Sequence, residues 1–239
     1  MKPTTQPKIR ITKDTSHTVL VRKRDWNDLD AKYWSQYNIT QSLLEYYNVY
    51  ACKEVWISRY GRTKLYYSYT RANPAYAYFF NYGDYKIYNP FTKSFYMVKG
   101  HLEGYDQLPN SGSTLIITKS MKDVITLRSF GVLAIAKSGE SALLTKTQYA
   151  DLAKRFNHIY SLFDYDYAGI CAANKIKKEY CIQPIFIPFK RLLLGKPDFK
   201  VKDISDFTKE YGTVKTSKLI TACLETNMNI KELYNYVFK

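Results

Sequence analysis

The sequence predicts an α/β protein in two parts: an α+β N-terminal portion with a small antiparallel sheet, then a mostly parallel sheet flanked by helices. Three observations carry this expectation. Residues 115–187 alternate short apolar runs with capped, amphipathic segments, the β-α-β-α-β rhythm of a parallel sheet covered by helices. Residues 55–98 break instead into short alternating segments between Gly61, Pro74, Gly83 and Pro90, as hairpins do. Residues 25–50 show helical periodicity behind polar caps.

Residues 1–24 are polar and basic, end in Arg22-Lys23-Arg24, and read as a loose arm with one short strand at 17–21. The run Asp25-Trp-Asn-Asp28 supplies caps for a first helix, and Thr40 caps a second that carries Leu43, Leu44 and Tyr47. The hairpin region completes a basic subdomain over 25–110, and the turn-rich Pro109-Asn-Ser-Gly-Ser113 marks its end. In the second domain, 111–210, residues 115–118 form a strand. Ser120 then caps a helix with Met121, Val124 and Leu127 inward, closed by Gly131. Residues 132–136 are the next strand. Thr145 and Gln148 make a capping-box pair ahead of Tyr149, Leu152, Ala153 and Phe156, which share one helical face. A buried strand at 159–163, a helix at 168–180 and a strand at 184–187 follow. The tail, 211–239, reads as helical, with Leu219, Ile220 and Leu224 packing back.

Composition narrows the function. Lys+Arg 36 against Asp+Glu 21 gives a net charge of +15. No amphipathic helix concentrates that charge, so it points to nucleic acid before membrane, with plain solubility charge as the alternative. Tyr 24 and Phe 12 are high. Aromatics among cations, as in Lys64-Leu-Tyr-Tyr-Ser-Tyr69, can stack bases, though an AT-rich coding bias enriches the same residues. Cys52, Cys171, Cys181 and Cys223 lie far apart, which excludes zinc-ribbon spacing, disfavours a disulfide framework and argues for a reducing, intracellular compartment. No apolar run reaches the roughly 18 residues of a membrane span, and the N-terminus lacks a signal-peptide stretch.

The chemistry concentrates in Ser161-Leu-Phe-Asp164-Tyr-Asp166-Tyr-Ala168-Gly169-Ile170. Two carboxylates where a strand gives way to a helix sit at the carboxyl edge of a parallel sheet, where such sheets bind ligands. Paired Asp oxygens there suit Mg²⁺, which shares its shell among carboxylates, water and phosphates; the alternative is a solvated loop end. Glu140 follows the second strand, and Asp203 and Asp206 lie beyond the fourth. Loops leaving one sheet edge converge, so these acids on a basic protein suggest metal-dependent phosphoryl transfer.

These residues resemble the TOPRIM domain of bacterial-type primases, topoisomerases and related nucleases. Asp164-Tyr-Asp166-Tyr-Ala168-Gly169 is similar to the family's Asp-x-Asp-x-Ala-Gly, in which both Asp are metal ligands. Leu115-Ile-Ile-Thr-Lys-Ser-Met-Lys-Asp123 and Gly131-Val-Leu-Ala-Ile-Ala136 resemble its first strand–helix–strand, and Lys202-Asp-Ile-Ser-Asp-Phe207 its last acidic stretch. One position departs: the family ends its first strand with Glu-Gly, the Glu acting as acid/base, whereas here stand Lys119-Ser120. Glu140 is the candidate replacement. Lys119, with Lys122 beside it, is a candidate contact to a nucleotide triphosphate or template phosphate, or an ordinary solvated lysine.

Tyr33-Trp-Ser-Gln-Tyr-Asn-Ile-Thr40, Tyr85-Lys-Ile-Tyr-Asn-Pro90 and Glu103-Gly-Tyr-Asp-Gln-Leu-Pro109 resemble the polymerase region of phage primases. The resemblance implies a phage-encoded DNA primase polymerase region that works in the bacterial cytoplasm. It would build RNA primers from ribonucleoside triphosphates on single-stranded DNA with Mg²⁺ or Mn²⁺, beside a replicative helicase and no membrane. It implies Asp164, Asp166, Asp203 and Asp206 as metal ligands and Glu140 as acid. Arg22, Lys23, Arg24, Lys64 and Arg71 would grip template through sequence-independent phosphate contacts. The sequence holds no zinc ribbon and no Gly-x-x-x-x-Gly-Lys-Ser/Thr loop. The rival expectations are a TOPRIM nuclease and a catalytically impaired single-strand-binding or helicase-loading module.

Overall fold

The computed structural model describes residues 17–81, 83–92, 94–97, 101–137, 144–187, 201–225 and 230–239. Two sheets organise them. The first is antiparallel: β1 (His17–Lys23), β2 (Val49–Arg59), β4 (Tyr76–Phe79), β5 (Tyr85–Asn89) and β6 (Ser94–Met97) lie in that order, and β3 (Arg62–Ser68) also pairs β2. The strand expected at 17–21 therefore runs to Lys23 and pairs along β2, from His17 opposite Arg59 to Lys23 opposite Cys52.

Two short helices precede β2. In α1 (Asp28–Ser35) Asn27 accepts from the Asp30 amide while Asp30 accepts from the Asn27 amide, a reciprocal cap. Thr40 caps α2 (Gln41–Tyr46) through the Leu43 amide. The helical expectation through residue 50 ran too far. Asn48 turns left-handed, φ 54°, and Val49 starts the strand because its side chain fills the core from there.

The second sheet is mostly parallel, as its alternating pattern implies. Its order is β11 (Gln183–Pro184), β10 (Phe156–Ser161), β8 (Gly112–Thr118), β9 (Ala134–Lys137) and β7 (Leu102–Glu103), with only β7 antiparallel among these. Ser120 caps α3 (Met121–Ser129), and Gly131, at φ 82°, closes it. Thr145 and Gln148 form the expected capping box on α4 (Lys146–Arg155). Asp166 caps α5 (Tyr167–Tyr180). The tail forms α6 (Ile204–Glu225), interrupted at Gly212, and α7 (Ile230–Phe238).

One apolar core joins the halves. Trp34, Leu44, Tyr76 and Tyr78 of the first part pack in one cluster with Ile116, Val124, Leu127 and Phe207 of the second. Leu219 and Ile220 are buried in it and Leu224 packs against it, the return predicted for the tail. A second cluster, with Leu115, Ile117, Leu152 and Ile176, fills the opposite face of the parallel sheet. Residues alternating along β8 thus feed two cores, as burial on both faces requires. No helix among the described residues is long and apolar enough to cross a membrane.

Candidate active site

The carboxyl ends of β8 and β10 adjoin because these strands pair in parallel, with Ile117 opposite Ser161. Lys119 leaves the first and Asp164 the second, and the Lys119 ammonium donates to Asp164 Oδ2. Asp164 is only 3% exposed. Burial raises its acid form, the Lys119 charge opposes this, and nearby Asp203 and Asp123 reinforce it, so its carboxyl is pushed up to about 7. For Lys119, burial disfavours the charge, but Asp164, Asp203 and Asp123 outweigh that and raise its pKa.

Asp166 sits differently. Its Oδ1 accepts from the Gly169 amide at 3.1 Å, and Lys202 Nζ lies 3.2 Å from Oδ2. The Gly169 N–H first, then Lys202, hold this carboxyl below its ordinary range. Gly169 is required here because a Cβ would run into the Asp164 carbonyl oxygen, so the helix can begin this close only without a side chain.

The third strip comes from the start of α6. The Asp206 amide donates to Asp203 Oδ1 at 2.7 Å, and Lys122 Nζ lies 3.9 Å from Asp203 and 3.5 Å from Asp206. Burial, then repulsion from Asp203, raises the Asp206 carboxyl. Burial opposes the charge on Lys122, yet Asp203, Asp123 and Asp206 together raise its pKa well above that of an ordinary lysine. The same ammonium lies 4.6 Å from the Tyr37 ring centroid, which brings the tyrosines of the first part to the rim.

The structure thus gathers Lys119, Lys122, Asp164, Asp166, Asp203 and Asp206 into one cluster. Glu140 lies outside the described residues. Two members were missed in the sequence. Asp123 is fully buried, accepts from Ser120 Oγ at 2.6 Å and from Ser205 Oγ, and is pushed up to about 6 by burial and then Asp203. Its Ser-x-x-Asp spacing reads only as a helix cap. Lys202 stands in an acidic stretch whose motif is carried by its neighbours, so its own charge gives no sequence signal.

Of the basic set, Arg22, Lys23, Lys64 and Arg71 are exposed, Arg22 beside Glu54 at 3.3 Å and Lys23 over the Tyr50 ring. Arg24 departs from the expectation of template contact. It turns inward and donates to both Asp30 oxygens, at 2.6 and 2.8 Å, while Tyr76 donates to the same carboxylate. The buried Asp30 needs that countercharge, so Arg24 belongs to the core.

The donor set suits a hard cation. Asp164 Oδ1 is buried and accepts no hydrogen bond among the described residues. No group of three or more His, Cys, Asp or Glu among the described residues is placed to hold a metal ion together. Mg²⁺, however, typically takes only one or two carboxylates and fills its shell with water and phosphate.

No protein-family model matches the sequence, and no curated protein is similar to it in sequence. Solved structures do match its fold. The DnaG catalytic core superposes with a TM-score of 0.60 at 13% identity, over 87% of this chain and 76% of the other. The DnaG primase catalytic domain bound to single-stranded DNA gives 0.55 at 14% identity over the same shares. The chain has the fold of a primase catalytic core. The Aquifex aeolicus primase, with its zinc-binding and RNA polymerase domains, matches at 0.50 and 15% identity, over 88% of this chain and 61% of that one. At such identities the likeness to primases is one of fold.

Proposed function

We propose that this chain is a DNA primase polymerase core that joins ribonucleotides on a single-stranded DNA template. One observation carries the reading: within a primase fold, Asp164 and Asp166 leave the carboxyl edge of the parallel sheet with one buried carboxylate oxygen still open. Asp164 and Asp166 would hold Mg²⁺ or Mn²⁺, with Asp203 or Asp206 completing the shell directly or through water. When bound, such an ion polarises the phosphoryl group and offsets charge on the entering and leaving oxygens.

The chain's own residues supply the rest. Lys119 and Lys122 present ammonium groups to a triphosphate as point charges. Asp166, fixed by the Gly169 amide, keeps the mouth of the site anionic. Glu140 is proposed as the acid/base from its place just past β9. Arg22, Lys23, Lys64 and Arg71 would hold template phosphates, and a replicative helicase would deliver the strand.

A second reading has an observation of its own. Lys119, Lys122 and Lys202 already sit on the carboxylates, which favours a single-strand-binding module that keeps the fold without the chemistry. Incubating labelled single-stranded DNA with ribonucleoside triphosphates and Mg²⁺ or Mn²⁺ separates the cases. Primers that vanish in Asp164→Asn support the polymerase. Shortened DNA indicates a nuclease, and bound but unchanged DNA indicates the binding module.

A further inference from the structure

Every acid at the rim of the cluster meets an ammonium from another element: Lys119 on Asp164, Lys202 on Asp166, and Lys122 between Asp203 and Asp206. The first pair is unlike the others. Asp166 and Asp206 are about one-third exposed and can be solvated alone, Asp203 is 12% exposed, and Asp164, at 3%, is the most buried of the four. An ionised carboxylate so buried persists only with a countercharge. The register of β8 and β10 places Lys119 to supply it. The lysine side chain remains 28% exposed, so its flexible stem can swing the ammonium outward while the backbone stays in place.

We propose that Lys119 is a built-in cation that satisfies Asp164 in the metal-free protein and leaves it when a triphosphate arrives, so that divalent metal and triphosphate bind together. This rests on the reading of these acids as the metal site. Two cations compete for one carboxylate that has a single open oxygen, Oδ1. A dication arriving alone meets the ammonium at short range and is repelled, with little solvent to screen the two charges. A triphosphate changes the balance: its oxygens give the three ammonium donors another partner and add ligands for the metal. Lys119 thereby makes metal occupancy conditional on nucleotide.

The test is Mn²⁺ binding to the full chain, measured by equilibrium dialysis at fixed free Mn²⁺ without nucleotide. Lys119→Gln removes the competing charge and is expected to bind Mn²⁺ at least about tenfold tighter than the native chain, the scale of a close like charge. Lys119→Arg keeps the charge and is expected to stay weak. Equal affinity in all three proteins, or equal gain in the Gln and Arg variants, overturns the proposal. Should Lys119→Gln fail to fold, the native chain alone decides. With an unreactive ribonucleoside triphosphate it should take up Mn²⁺ and nucleotide together, and little Mn²⁺ without nucleotide. Identical Mn²⁺ uptake in both conditions rejects the coupling. Primer synthesis is a separate readout: primers without coupled binding remove this inference and leave the polymerase, and coupled binding without primers does the reverse.

Discussion

Lys86 Nζ lies 2.6 Å from Glu103 Oε1, and this buried ion pair ties the antiparallel sheet to the parallel one. Lys86 stands on β5 and Glu103 on β7, the strand added to the edge of the second sheet. The pair is a polar tie across a junction that a shared apolar core otherwise fills. Glu103→Gln leaves the ammonium buried without its charge and is expected to cost about 3–5 kcal/mol in urea unfolding. Replacing both, Lys86→Met with Glu103→Leu, should recover most of that loss. If the double variant is as unstable as the single one, packing rather than charge holds the junction.

Arg24 and its exposed neighbours should separate in binding assays. Arg24→Ala uncovers buried Asp30 and is expected to lose about 3–5 kcal/mol of stability. Arg24→Lys keeps the charge, and single-strand DNA affinity should stay near native because this side chain faces the core. Lys64→Ala, at an exposed position, should instead weaken DNA binding at every sequence. It should reduce the slope of log affinity against log salt by about 0.7, the share of one phosphate contact on a single strand. An unchanged slope in Lys64→Ala takes that residue out of the template path.

Patterns with a period were legible in the sequence, and pairings across the fold were not. The caps at Thr40, Ser120 and Thr145 and the strand end before Lys119 stand where local chemistry puts them, but the strand before Asp164 runs from Phe156 to Ser161 rather than over 159–163, because Phe156 leaves the helix in extended conformation. The place of Asp164 and Asp166 at a strand-to-helix step was legible because an apolar run, two acids and a following Gly mark that step locally. Arg24 was misread because a basic run looks solvated unless its buried partner is known, and Asp30 lies six residues on, turned inward by α1. Strand β7 was missed because two residues carry no alternation; only the sheet edge beside β9 gives Leu102 and Glu103 their place.

Asp123 gives the fold a measurable pH dependence. Its folded carboxyl is pushed up to about 6 from an ordinary 3.8. Between those values the unfolded chain has released the proton and the folded chain still holds it, so this contribution is full at low pH and is lost as pH rises through 6. Asp123→Asn cannot ionise. The variant should therefore gain on the native chain by about 2 kcal/mol between pH 4.5 and pH 7.5, since each tenfold difference in proton affinity is worth about 1.4 kcal/mol. Urea unfolding at the two pH values measures it, and a constant difference removes Asp123 as the cause.

Gly169 is the position where stability and chemistry should fail together. Its amide caps back to Asp166, and its missing Cβ is what lets α5 start against the backbone of Asp164. In Gly169→Ala the methyl group meets the Asp164 carbonyl, so either α5 withdraws or the Asp164 loop shifts. Withdrawal breaks the cap on Asp166, while a shift parts Asp164 from Lys119. Forcing one methyl into such a contact is expected to lower stability by about 1–3 kcal/mol. Primer synthesis should fall much further than that loss explains, because both carboxylates move relative to one another. Ala168→Ser, at the exposed neighbouring position, is the control and should leave stability and synthesis near native. The comparison is made below both melting temperatures, so that each chain is folded when assayed. If folded Gly169→Ala makes primers at the native rate, the strand-to-helix step does not position the reacting groups, and the site must be sought elsewhere on the sheet edge.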